Sequence, residues 1–155
     1  MRTIVIGVGN PILSNDGFGL HVAKELQKKV TDPNVVIETA YTGGFNLVDM
    51  MRGFDKAILV DTVHQTNAKN GEVKRFILSD LPLAHSSNPH DVSLPEAFRL
   101  AKTLGETHLP SDIVIVGMIS HITPSFGEHM TKEFAPNVPT AVHMVLSELD
   151  QVNKP

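Results

Sequence analysis

Three ionisable side chains, Asp16, Asp61 and His90, stand at places where an α/β protein gathers reactive groups. Asp16 ends a glycine-bearing loop, Gly7-Val8-Gly9-Asn10-Pro11-Ile12-Leu13-Ser14-Asn15-Asp16, that follows an apolar run and opens a helix. Asp61 directly follows the continuous apolar run Ile58-Leu59-Val60. His90 lies in Ser86-Ser87-Asn88-Pro89-His90-Asp91, just before a strongly capped helix. Ligands of open α/β sheets bind beyond the carboxyl ends of the strands, and strands one, three and five would gather these three residues there. Two carboxylates and an imidazole on one rim suit a divalent transition metal. The same trio can serve acid–base chemistry.

Each residue also has a plainer reading. An acid at a helix start gains about 0.3–1 kcal/mol from the helix dipole, which by itself would account for Asp16. Asp61 resists that kind of explanation, because burying a charge without a partner is costly. Asp91 either caps its loop or orients the His90 imidazole from behind. His64 competes with His90 through the spacing Asp61-x-x-His64, and His85 and His90 bracket a proline-bearing loop. The histidines at 21, 108, 121, 129 and 143 read as structural or solvated.

Other chemistries are poorly served. The dinucleotide fingerprint wants a third Gly or Ala where this chain has Ile12. No Gly-Lys-Ser/Thr follows to make a phosphate-cradling loop. Ser14, Ser86 and Ser87 lack the Gly-x-Ser-x-Gly setting of a nucleophile elbow. The absence of cysteine removes disulfides, thiolate ligands and a cysteine nucleophile, and fits a reducing cytoplasm. Gly43-Gly44 either turns the chain or lets a peptide backbone come close.

The elements that must position these residues follow from the hydrophobic pattern. The 155 residues, 41% of them hydrophobic, suit one globular domain spanning 1–155. Thirteen basic against seventeen acidic residues give a net charge of −4, and no basic cluster suits a phosphate backbone, so nucleic acid is not an expected partner. The start lacks the pattern of a signal peptide, and no apolar stretch approaches the roughly 18–20 residues of a membrane span. Strands are expected at 3–9, 35–40, 56–63, 73–78 and 112–119, with helices at 16–30, 45–52, 93–104 and 139–152. Ser93-Leu94-Pro95-Glu96 forms a capping box. Only about nine residues, with the turn signal Asn70-Gly71, link strands three and four, fewer than a parallel crossover needs. Strand four is therefore expected antiparallel and near an edge. The fold class is a three-layer α/β sandwich: a mostly parallel, twisted five-stranded sheet, helices on both faces and one antiparallel strand. Strand three should lie beside strand one.

Gly7-x-Gly9-Asn10 running into Asn15-Asp16-Gly17-x-Gly19, then Val60-Asp61, then Pro89-His90, resembles the nickel–iron hydrogenase maturation endopeptidases in both motifs and element order. The resemblance implies that Asp16, Asp61 and His90 contact a metal and carry the catalysis. It implies an endopeptidase that trims a C-terminal extension from the precursor large subunit of a nickel–iron hydrogenase. Nickel would then arrive with the substrate, not with the free enzyme. Many members carry Asp-Asp-Gly where this chain has Asn15-Asp16-Gly17, and the segment 120–137 is the least familiar part. Two other readings stay open: a self-contained metallohydrolase using Asp61, His64 and His90, and a non-enzymatic binding module on a Rossmann-like sheet.

Overall fold

The computed structural model describes residues 1–9, 17–41, 44–64, 67–81, 93–121 and 135–152. Five strands, β1 (Thr3–Val8), β2 (Val35–Ala40), β3 (Lys56–His64), β4 (Val73–Ile77) and β5 (Asp112–Ser120), form one sheet in the order β2-β1-β3-β5-β4. All neighbours are parallel except β4, which runs antiparallel to β5 at the edge. Strand three does lie beside strand one, with Val5 opposite Ile58 and Gly7 opposite Val60. No helix among the described residues is long and apolar enough to cross a membrane.

β1 and β5 read as unbroken apolar runs because helices cover both faces of the sheet, which leaves no solvent side for alternation. On one face, α1 (Phe18–Lys29) and α4 (Val138–Val152) pack on the sheet. Phe18, Val22 and Leu26, spaced four apart on α1, meet Val5, Ile58 and Val60. On the other face, α2 (Gly44–Met51) and α3 (Leu94–Thr103) bury Leu47, Val48, Met51, Ala97 and Phe98 against Ile6, Leu59 and Ile115. Helix limits fall within two residues of the sequence expectation. Among the described residues, short 3-10 turns at Leu78–Asp80 and Ala135–Asn137 carry no periodicity that a sequence pattern reveals.

The short link after β3 has a consequence that its length alone does not disclose. It leads β4 past the place that β5 later fills, so β4 pairs with β5 and not with β3. The Asn70-Gly71 turn is tied to the end of β5, where Gly71 N donates to Ile119 O at 2.7 Å and Ile119 N to Glu72 O at 2.8 Å.

Far from those carboxyl ends, the opposite edge of the sheet is held by a buried ion cluster. Lys56, the first residue of β3, reaches Glu148 of α4 at 3.0 Å and Asp112 at 3.3 Å, while Arg75 of β4 also pairs with Glu148. Lys56 and Glu148 are each only 5% exposed. Burial pushes the Glu148 carboxyl up, but hydrogen bonds from Arg75 and Lys56 overcome it and leave the pKa below its ordinary value. The Arg75 guanidinium is raised in turn, chiefly by its hydrogen bond to Glu148.

A carboxylate with a depressed folded pKa stabilises fully above its unfolded value, and that contribution is lost as the pH falls through the folded one. Urea-unfolding stability should therefore drop as the pH is lowered below 4.5, the ordinary glutamate value. Glu148→Gln should flatten that limb. At neutral pH, Glu148→Ala should cost about 3–5 kcal/mol, because it strands Lys56 without its buried partner.

Candidate active site

The chain passes from β1 through α1 to β2 on one side, then through α2 back across β1 to β3 on the other. The sheet order thus reverses between β1 and β3, and the two intervening helices lie on opposite faces. A crevice opens beyond the carboxyl ends of strands at such a switch point, where ligands of open α/β sheets bind.

Asp61 stands at this crevice. It shares the α2/α3 face of β3 with Leu59 and Val63, which stand two residues before and after it along the strand. Its carboxylate is half-buried, and Oδ1 accepts a 2.7 Å hydrogen bond from the Thr62 N–H, which fixes the orientation of the group. It lines a cavity of about 300 Å³ together with Val8, Leu47, Leu59, Leu81 and Ser93. The walls are mostly apolar, so the carboxylate faces a locally low dielectric where its charge acts strongly.

Asp16 and His90 lie outside the described residues, as do Asn15, Gly43, His85, Asp91 and His129. The described residues that flank them in the chain are informative. Val8, at the end of β1, lines the Asp61 cavity just before the loop that carries Asp16. Leu81 and Ser93, on either side of the segment 82–92 that carries His90, line the same cavity. Both stretches therefore leave from the walls around Asp61. Ser93 also caps α3, its Oγ accepting from Glu96 N at 3.4 Å, so half of the expected capping box is seen directly.

Glycine at 7 and 19 is explained by contact, not by a phosphate. A Cβ on Gly7 would stand 2.2 Å from Gly19 O, and one on Gly19 would stand 2.3 Å from Val60 O and 2.4 Å from Val8 O. The first turn of α1 is thus pressed directly onto the backbone of β1 and β3, one residue before Asp61. Gly17, which follows Asp16 in the chain, is the N-cap of this helix.

The other histidines play smaller parts. His64 ends β3 opposite Ser120. His121 holds the turn before β4, where its N–H donates to Asn70 Oδ1 at 2.9 Å and its Nε2 meets Ala68 O. His21 and His143 line a groove between α1 and α4, on the face of the sheet opposite Asp61. Among the described residues, no three His, Asp or Glu side chains come together as a metal-holding group. Sequence reasoning did not single out Leu47, Leu81 or Ser93 as cavity walls. The Ser93 cap was legible, but its place on the crevice depends on where α3 begins in three dimensions.

Comparison with known proteins defines the class. The profile of the hydrogenase maturation protease family matches residues 20–148, a span that includes Asp61 and His90 and begins four residues after Asp16. The chain belongs to that family and is an enzyme, an endopeptidase. It is 29% identical to the coenzyme F420 hydrogenase subunit delta of Methanothermobacter thermautotrophicus, over 94% of this chain and 93% of that protein. It is 27% identical to the hydrogenase 2 maturation protease of Escherichia coli, over 96% and 91% of the two chains. Among solved structures, the hydrogenase maturating endopeptidase of E. coli superposes with a TM-score of 0.77 at 22% identity, covering 99% of this chain and 94% of the other. That last likeness establishes the fold.

The contact between α1 and the two central strands can be tested alone. Gly19→Ala forces a methyl group against two backbone carbonyls and should cost about 1–3 kcal/mol, the usual range for overpacking. A lower urea midpoint with an unchanged m-value is the expected result.

Proposed function

We propose that this endopeptidase removes a C-terminal extension from the precursor large subunit of a nickel–iron hydrogenase once nickel has been inserted. In this reading Asp16, Asp61 and His90 are its contacts to the metal carried by that substrate. The observation that carries the proposal is the Asp61 cavity, whose walls include Val8, two residues before the segment 10–16 that carries Asp16, and Leu81 and Ser93 on either side of the segment 82–92 that carries His90. Family membership supports the substrate class, and relatives are named for hydrogenase maturation.

The chemistry follows from the residue types. Two carboxylates and a neutral imidazole offer hard and borderline donors to a divalent ion, without filling its coordination shell. Affinity order alone does not select nickel, so selection comes from a substrate that is already loaded. Hydrolysis adds water across the amide: its oxygen bonds to the carbonyl carbon, the C–N bond breaks, and the departing amine takes a proton. A metal-polarised carbonyl or a metal-activated water lowers the barrier, and Asp16 or Asp61 accepts the proton of the attacking water. The absence of cysteine agrees with action in a reducing cytoplasm.

The residue assignment is tested by substitution. Asp16→Asn, Asp61→Asn and His90→Ala should each slow cleavage of the nickel-loaded precursor by at least about 100-fold, the order expected when one catalytic contact is lost. His64→Ala and His85→Ala should leave the rate within a few-fold. The melting temperature should barely fall, since relieving a crowded pair of carboxylates removes repulsion. Full activity in all three site variants, or loss confined to His64→Ala, would reject the assignment.

A further inference from the structure

A second hollow of about 740 Å³ runs along the flank of α3 on the same face of the sheet, and Leu81 and Pro95 line both it and the Asp61 cavity. The two hollows adjoin at these residues, and as a groove they run from the crevice towards the amino-terminal edge of the sheet. Its walls are apolar at Leu78, Phe98 and Ile113 and cationic at Arg99 and Lys102. Lys102 Nζ sits 4.8 Å from the centre of the Phe98 ring, which fixes its charge over the apolar wall. Asp112, at the far end, faces Lys56 at 3.3 Å, so its charge is already answered within the protein. Among the described residues, neither Arg99 nor Lys102 is in an ion pair.

We propose that this groove receives the C-terminal extension of the substrate, on the departing side of the cut bond. It takes an extended segment with apolar side chains and a carboxylate three or four residues beyond the cut. The inference rests on the reading of the chain as a processing endopeptidase. Two features carry it. The hollow adjoins the Asp61 cavity at Leu81 and Pro95. From Leu94 to Lys102 the helix rises about 12 Å, the reach of about four extended residues, which brings Arg99 and Lys102 beside the third and fourth. A carboxylate held there by a guanidinium and an ammonium gains charge-assisted hydrogen bonds, while apolar neighbours bury against Phe98 and Leu78.

The test compares KM with kcat for cleavage of the nickel-loaded large-subunit precursor from the same organism. The double variant Arg99→Glu/Lys102→Glu should raise KM at least tenfold and leave kcat within twofold, because neither side chain touches the reacting atoms. Replacing the acidic residues of the extension with lysine should raise KM for the unmodified enzyme and lower it for the double variant. Lys24→Glu, on the opposite face of the sheet, should change neither constant. If charge reversal lowers the melting temperature, Arg99→Ala/Lys102→Ala serves instead, with a smaller rise in KM expected. An unchanged KM with normal cutting would overturn the groove assignment and leave the proposed function standing. An extension with no carboxylate in its first six residues would overturn it too. A precursor left uncut by the unmodified enzyme would remove both readings together.

Discussion

The pairing of β1 with β3 is the constraint on which the rest of this structure depends. With those two strands parallel and adjacent at the centre, the helix after β1 must leave on one face and the helix before β3 must return on the other. Their carboxyl ends are left uncovered between the two helices. The crevice beside Asp61 is that uncovered place. Gly7 and Gly19 make the arrangement tight, because only a helix and strand without Cβ atoms can approach as closely as α1 does to Val8 and Val60. A side chain at either position would push the first turn of α1 away from the backbone of Val8 and Val60.

The two edges of the sheet hold their charged groups differently. At the amino-terminal edge, Lys56 and Glu148 are buried and paired, tying β3 to α4. At the carboxyl edge, Asp61 is half-buried in a mostly apolar cavity with one oxygen set by the Thr62 N–H. The first pair ties two elements together inside the fold, whereas the Asp61 carboxylate lines a cavity wall. On the same face of the sheet a second hollow adjoins the crevice along α3, with Leu81 and Pro95 lining both.

Much of this was legible in the sequence because the signals are local and periodic. The strand runs, the Phe18-Val22-Leu26 stripe of α1 and the cap at Ser93 each announce themselves within one turn or strand. Asp61 stood out for a different reason, because an acid directly after Ile58-Leu59-Val60 is costly to bury without a partner, and the structure places it half-buried on the cavity wall. What the sequence concealed is long-range. The pairing of β4 with β5 depends on a strand that appears some forty residues later in the chain, and no local pattern reports it. Gly7-x-Gly9 resembles the opening of a nucleotide loop that Ile12 breaks, and the contacts of Gly7 and Gly19 show a packing role that no local pattern reports. The buried Lys56–Glu148 pair joins residues 92 positions apart, and Glu148 reads in sequence as an ordinary polar position on a helix. Leu81 and Ser93 became cavity walls only once α3 was placed.

The proposed function requires an enzyme that reads a metal carried by its substrate. The most direct measurement gives the purified, metal-free enzyme two forms of the same large-subunit precursor, one loaded with nickel and one free of it, and follows release of the C-terminal extension. The account expects the loaded form to be cut and the nickel-free form to stay intact, even when divalent nickel has first been offered to the enzyme alone. Efficient cutting of the nickel-free precursor would contradict it, because the enzyme would then carry its own catalytic metal or need none.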